Sequence, residues 1–276
     1  MIFQLLIVLA AIVIGARKGG IGLGVAGGLG LAVLTFGFGL RPTSPPIDVM
    51  LMIAAVIAAA SCMQAAGGLD MMVKWAERLL RRHPQHITLL SPLVTYLFTL
   101  LAGTGHVAYS ILPVIAEVAT ETKVRPERPL SIAVIASQQA ITASPISAAT
   151  VVLLSMLAGY DITLIDIMKI AIPCTMAGVL LGALYSMKIG KELADDPEYR
   201  RRLAEGAFES KHRHTREVEN PRGALLSVVL FLVATVGIVI FGSSEALRPV
   251  FHTNEGTVPM QMSHIIEILM LSAAAL

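Results

Sequence analysis

Ser137-Gln138-Gln139-Ala140-Ile141-Thr142-Ala143-Ser144-Pro145-Ile146-Ser147 lies in the middle of an apolar stretch of 29 residues, 130–158. About 20 apolar residues suffice to cross the hydrocarbon core of a bilayer. The stretch is therefore too long for one plain span and too polar at its centre. Pro145 removes a backbone donor and disfavours helix at the residue before it. The reading is a broken helix over about 130–158: one half from about Leu130, an unwound polar centre, and a second half to about Leu157.

The region just upstream, 87–119, is irregular in a different way. Its two apolar arms, Ile87–Ala102 and His106–Ala119, hold 16 and 14 residues, and Gly103-Thr104-Gly105 separates them. Both arms are short for a span. Charge supplies an independent constraint, because Lys and Arg collect on the cytoplasmic side. If the hydrophilic stretch 188–222 is cytoplasmic, 18 of the 21 basic residues fall inside, leaving Arg41, Lys169 and Arg248 outside. The N-terminus then lies externally. This count requires the loops at 74–86 and 120–129 to share one side, so 87–119 must enter and leave from the cytoplasm. A re-entrant helical hairpin over about 87–119 satisfies it, with non-helical backbone at membrane depth surrounded by protein or a water-filled cavity. Two ordinary spans satisfy the same count.

The remaining apolar runs are Met1–Ile14, Gly20–Leu40, Ile47–Ala66, Leu164–Met187, Ala224–Gly242 and Met262–Leu276. Of the 276 residues, 55% are hydrophobic and only 14% charged, and the mean hydropathy is +0.74. Soluble domains carry about 25% charge, so the composition excludes a soluble enzyme. The fold class is an all-α polytopic membrane protein. Residues 1–187 form a first transmembrane part, 188–222 a cytoplasmic linker with helix around 197–209, and 223–276 the start of a second, incomplete part. The amphipathic segment Asp70–Arg82, with Trp75 and clustered arginines, reads as an interfacial helix.

Other motifs are weaker. Gly22-Leu23-Gly24-Val25-Ala26-Gly27 fits a dinucleotide pattern but lacks a preceding strand. Gly20, Gly24 and Gly28 instead read as a small-residue packing face. His106 and Ser110 are four apart, yet no orienting acid or oxyanion motif accompanies them, so no catalytic residue is assigned. Cys62 and Cys174 lie within apolar runs and carry no redox or zinc spacing. The net charge of +2 does not point to nucleic acid. No metal or cofactor is expected.

What the deep segments offer is hydroxyls, amides and helix breaks. Half-helix N-termini supply partial positive charge and free N–H donors to anions. The candidate binding residues are Thr104, Gly105 and His106 at the hairpin tip, and Ser137, Gln138, Gln139, Thr142, Ser144 and Ser147 around the break. Gly103 and Pro145 shape the backbone. Their chemistry suits a small anion held without an arginine clamp, and His106 adds a group that protonates near neutral pH.

Several ordered motifs carry a family likeness. They include Gly15-Ala16-Arg17-Lys18-Gly19-Gly20-Ile21, Gln64-Ala65-Ala66-Gly67-Gly68-Leu69-Asp70, Gly103-Thr104-Gly105-His106, Leu112-Pro113-Val114-Ile115-Ala116-Glu117, Arg125-Pro126-Glu127-Arg128-Pro129 and Ile141-Thr142-Ala143-Ser144-Pro145-Ile146-Ser147. The chain resembles, along essentially its whole length, the Dcu family of anaerobic bacterial C4-dicarboxylate transporters. The resemblance implies transport of fumarate, malate, aspartate and succinate across the bacterial inner membrane, mainly by antiport. It also implies an inverted-repeat fold, of which this chain is the N-terminal half. Alternatives left open are a sodium-coupled carboxylate carrier of the same superfamily and a membrane co-sensor of a dicarboxylate-sensing kinase. The partners expected are C4-dicarboxylate anions and the lipid bilayer, with a homo-oligomer and a sensor kinase left open. Family members are longer and this chain stops within an apolar run, so a fragment that transports weakly or not at all is expected.

Overall fold

The computed structural model describes residues 1–45, 47–157, 160, 162–190, 193–204, 218, 220–253 and 256–275. They form an all-α polytopic membrane protein. Two compact units are distinguished, Met1–Ile47 and Asp48–Leu276.

In the first unit, α1 (Ile2–Lys18) and α2 (Ile21–Ala32) form a helical hairpin, and α2 runs on into a π-helical turn at Val33–Gly37. The two helices touch where side chains are missing. A Cβ at Gly15 would stand 2.8 Å from the Leu23 Cα, and one at Gly30 would stand 3.0 Å from the Ala11 Cβ. The packing face expected at Gly20, Gly24 and Gly28 is not the one that joins α1 and α2, since a Cβ there meets nothing within 4 Å among the described residues. Periodicity marked a small-residue face, but the turn at Gly19-Gly20 sets which face turns inward.

The second unit holds α3 (Ile47–Ala65), α4 (Gly68–Arg82), α5 (Ile87–Ala102), α6 (His106–Glu121), α7 (Glu127–Ala143), α8 (Ala148–Met156), α9 (Leu164–Ser186), α10 (Pro197–Ala204), α11 (Pro221–Ser243) and α12 (Met262–Ala275). Residues 221–275 thus belong to the same compact unit as α3–α9. Of the 197–209 segment expected to be helical, 197–204 is helix and 205–209 lie outside the described residues. A short antiparallel hairpin, β1 (Val250–Thr253) with β2 (Gly256–Pro259), pairs Val250 with Pro259 and was not expected from the sequence.

Five segments among the described residues are long and apolar enough to cross a membrane: 47–65, 84–102, 127–156, 164–186 and 221–243. The segment 84–102 reaches 19 residues only by counting the 3-10 turn Pro84-Gln85-His86 ahead of α5. Exposed Ile170, Leu181 and Leu184 on α9 and Val233 and Val236 on α11 give these helices apolar outer faces, as lipid requires. The amphipathic α4 differs, burying Leu69, Met72, Val73, Ala76 and Leu80 along one stripe and leaving Arg78 and Arg82 outside.

Helix α5 is the centre of the unit. Hydroxyls join it to α7 along its length: Ser91 Oγ donates to the Pro129 carbonyl (3.2 Å), Thr99 Oγ1 to Ser137 Oγ (3.1 Å) and Ser144 Oγ to the Leu100 carbonyl (2.7 Å). Such side-chain bonds join helices where apolar packing discriminates little between helix and lipid. Tyr96 ties α5 to α9 through the Thr175 hydroxyl, 2.8 Å away. Thr95 Oγ1, between Ser91 and Thr99, is buried without a partner among the described residues. That omission costs about 1–3 kcal/mol.

Ion pairs fix which ends meet. Arg81 near the end of α4 contacts Glu117 and Glu121 near the end of α6. Arg125 in the α6–α7 connection pairs with Asp196 at 2.9 Å, and Arg128 donates to the carbonyls of Ile189 and Gly190. The Asp196 carboxyl sits below its usual range because the backbone N–H groups of Tyr199 and Glu198 donate to it, with Arg125 adding to the effect. The 74–86, 120–129 and post-α9 segments therefore lie at one end of the unit, the arrangement that the charge count required.

Candidate functional site

Sequence dictates the break locally. Ser144, which precedes Pro145, is extended (φ −76°, ψ 131°), as the proline ring demands of its predecessor. Ser147 is extended as well (φ −72°, ψ 147°) and caps α8, its Oγ accepting from the Thr150 N–H at 3.2 Å. A serine N-cap satisfies one of the N–H groups left open at a helix start. Thr150 Oγ1 reaches back across the gap to the Thr142 carbonyl at 3.3 Å. The break is thus a four-residue interruption, 144–147, held by its own hydroxyls.

The hairpin tip has an equally local cause. Gly103 ends α5 in the left-handed region (φ 69°), its N–H bonding to the Thr99 carbonyl. Only glycine adopts this conformation without penalty. After Thr104 and Gly105 the chain turns into α6.

The tip and the break are in contact. A Cβ on Gly103 would lie 2.7 Å from the Ile146 Cγ1 and 3.3 Å from the Ile146 backbone carbon. A Cβ on Gly105 would lie 3.4 Å from Gln138 Nε2 and 3.5 Å from Ser137 Oγ. Helical rise explains the match in depth. Sixteen residues of α5 and seventeen of α7 each span about 25 Å, and both start from the end where Arg125 lies. The nine residues of α8 carry the broken helix about 14 Å beyond the meeting point. The hairpin stops where the helix breaks.

A cavity of about 280 Å³ opens at this junction. Gly103, Thr104 and Val107 of the hairpin line it, together with Ile146, Ala148 and Val151 of the broken helix and one face of α3 from Met52 to Gln64. Its size is near the lower end for small-ligand pockets, and its walls follow their usual pattern of apolar surface with a few polar groups.

The expected site residues divide into three groups. Thr104 lines the cavity, and Gly105 faces Gln138. Ser137, Ser144 and Ser147 are buried and bond to Thr99, Leu100 and Thr150. Gln138, Gln139 and Thr142 are exposed on α7, with the Thr142 hydroxyl donating to the Gln139 carbonyl at 2.6 Å. His106 opens α6, and its side chain lies outside the described residues. Two cavity residues had no place in the sequence-based site: Ser61 and Gln64 of α3. They sit within an apolar run with no break, and only tertiary packing brings them to the tip.

The model of a family described as anaerobic C4-dicarboxylate membrane transporter matches residues 1–276. The C4-dicarboxylate transporter DcuA of Wolinella succinogenes is 50% identical over 244 residues, covering 88% of this chain and 56% of that protein. DcuA of Escherichia coli K12 is 48% identical, covering 100% of this chain and 63% of its own length. The anaerobic C4-dicarboxylate transporter DcuB of Escherichia coli O6:H1 is 41% identical, covering 99% and 62%. The chain therefore spans about three-fifths of the length of these relatives. No solved structure matches it. With a family model that matches throughout and a membrane-spanning helical architecture, the chain belongs to the DcuA/DcuB family of anaerobic C4-dicarboxylate membrane transporters.

Proposed function

We propose that the protein moves C4-dicarboxylates such as fumarate, malate, aspartate and succinate across the bacterial inner membrane by exchange, with its N-terminus external. The observation that carries this reading is the contact of hairpin tip and broken helix, with a cavity beside it. Irregular backbone at membrane depth is tolerated only where protein or a water-filled cavity surrounds it, and the cavity beside the tip and the break supports placing them there. In transporters built this way, broken helices present N–H groups to carboxylates and hydroxyls complete the coordination.

In this reading 87–119 is a re-entrant hairpin. Thr104, Gly105 and His106 meet the substrate from the tip, and Gln138, Gln139 and Thr142 meet it from α7. Ser137, Ser144 and Ser147 hold the backbone that presents the N–H groups, because their hydroxyls already bond within the protein. Gly103 and Pro145 fix the shape of the two breaks.

The test is exchange of labelled succinate in proteoliposomes loaded with fumarate. A protein of the relatives' full length that carries this chain should exchange the two, and should do so equally without sodium. Thr104→Ala and Gln138→Ala should each lower the rate about tenfold, the scale of one lost hydrogen bond to a charged group, with membrane abundance unchanged. Exchange at the unaltered rate by both variants would remove the site. Exchange that stops without sodium would favour a sodium-coupled carrier.

A further inference from the structure

The cavity beside the hairpin tip has a polar side that neither the tip nor the break supplies. Ser61 and Gln64 are three residues apart on α3, a spacing that places them on one helix face, and both line the cavity. Thr104 lines it from the hairpin, and Ala148, the first residue of α8, lines it from the broken helix. The N–H of a first helical residue has no partner within its own helix, while Ser147 takes the N–H of Thr150. Among the described residues, no charged side chain lines the cavity. Met52, Val56 and Val107 supply apolar wall.

We propose that Ser61 and Gln64 of α3, with Thr104, form a subsite that receives one carboxylate of the substrate and so selects dicarboxylates over monocarboxylates. A carboxylate offers about four acceptor positions, the Gln64 amide can donate two N–H bonds to it, and the Ser61 hydroxyl can donate one. Neutral donors hold an anion here without an arginine, and a neutral site also releases it readily, which a carrier needs. The apolar wall suits the short hydrocarbon spacer of a C4 acid. An analogue with a methyl group in place of that carboxylate forgoes these bonds and sets the methyl against an amide and a hydroxyl.

This inference rests on the transport reading above, and one experiment separates the two. The equilibrium affinities of the purified protein for succinate and for butyrate are compared, the second acid having a methyl group in place of one carboxylate. The unaltered protein should prefer succinate. Gln64→Leu should reduce the succinate-to-butyrate affinity ratio about tenfold, and Ser61→Ala should reduce it less. Both side chains are exposed, so the substitutions disturb little packing. A merely structural role would weaken both acids together and leave the ratio unchanged. An unchanged ratio in Gln64→Leu, with succinate still bound by the unaltered protein, overturns the subsite and leaves the transport reading intact. An unaltered protein that binds neither acid overturns both.

Discussion

Gly103→Val should abolish transport and destabilise the protein by about 2–5 kcal/mol, the sum of two separate penalties. The first is conformational. Gly103 has φ 69°, where a β-branched residue is a true outlier. The second is steric, since the new Cβ would stand 2.7 Å from the Ile146 Cγ1. The nearby Ile146 backbone carbon, at 3.3 Å, limits relief by a rotamer change. Relief would have to come from parting the tip and the break. The thermal midpoint in detergent and the exchange rate are the measurements. Ile146→Ala in the same molecule should restore part of the stability by opening space, although it leaves the conformational penalty in place. A Gly103→Val protein with unaltered midpoint would contradict both the left-handed backbone at Gly103 and the contact of tip and break.

The second large effect is expected at Arg81. Its Nε bonds to Glu77 (2.9 Å), its Nη2 to Glu117 (2.8 Å) and its Nη1 to Glu121 (2.7 Å). Burial opposes the charge on Arg81, but the bonds to Glu77 and Glu117 and the nearby Glu121 raise its pKa on balance. It is therefore cationic at every working pH. Arg81→Gln leaves three carboxylates around a neutral amide and unfastens α4 from α6. The groups are half-buried, so the loss should fall between that of exposed and fully buried pairs, about 2 kcal/mol. The loss is read from thermal midpoints in detergent, and an Arg81→Gln protein with an unaltered midpoint would show that these contacts do not fasten α4 to α6.

Much of this architecture is legible in the sequence because a bilayer leaves few choices. Arm lengths and Gly103-Thr104-Gly105 mark the turn between α5 and α6 without tertiary information, while the distribution of Lys and Arg fits a re-entrant hairpin and two ordinary spans alike. Pro145 and the hydroxyls around it define the break for the same reason, through backbone donors that the chain must satisfy. Side-chain assignments were harder. Ser144 and Ser147 look like ligands in the sequence, and the structure bonds one to Leu100 and the other to Thr150. Polarity at membrane depth reveals that a hydroxyl has a partner, without revealing which. Ser61 and Gln64 carry no local signal, because a polar residue on an unbroken helix acquires its meaning from what packs opposite. The short strands at 250–259 were also missed. A four-residue ribbon between helices has too short a period to stand out.

The most direct test of the account is the reactivity of a single thiol at the junction. With the exposed Cys62 and Cys174 replaced by serine, Thr104→Cys puts a thiol at the hairpin tip, on the wall of the cavity. Its labelling by a small methanethiosulfonate reagent should slow several-fold in saturating succinate and be unaffected by butyrate at the same concentration. Labelling at one rate with and without succinate would contradict a dicarboxylate site at the meeting of tip and break.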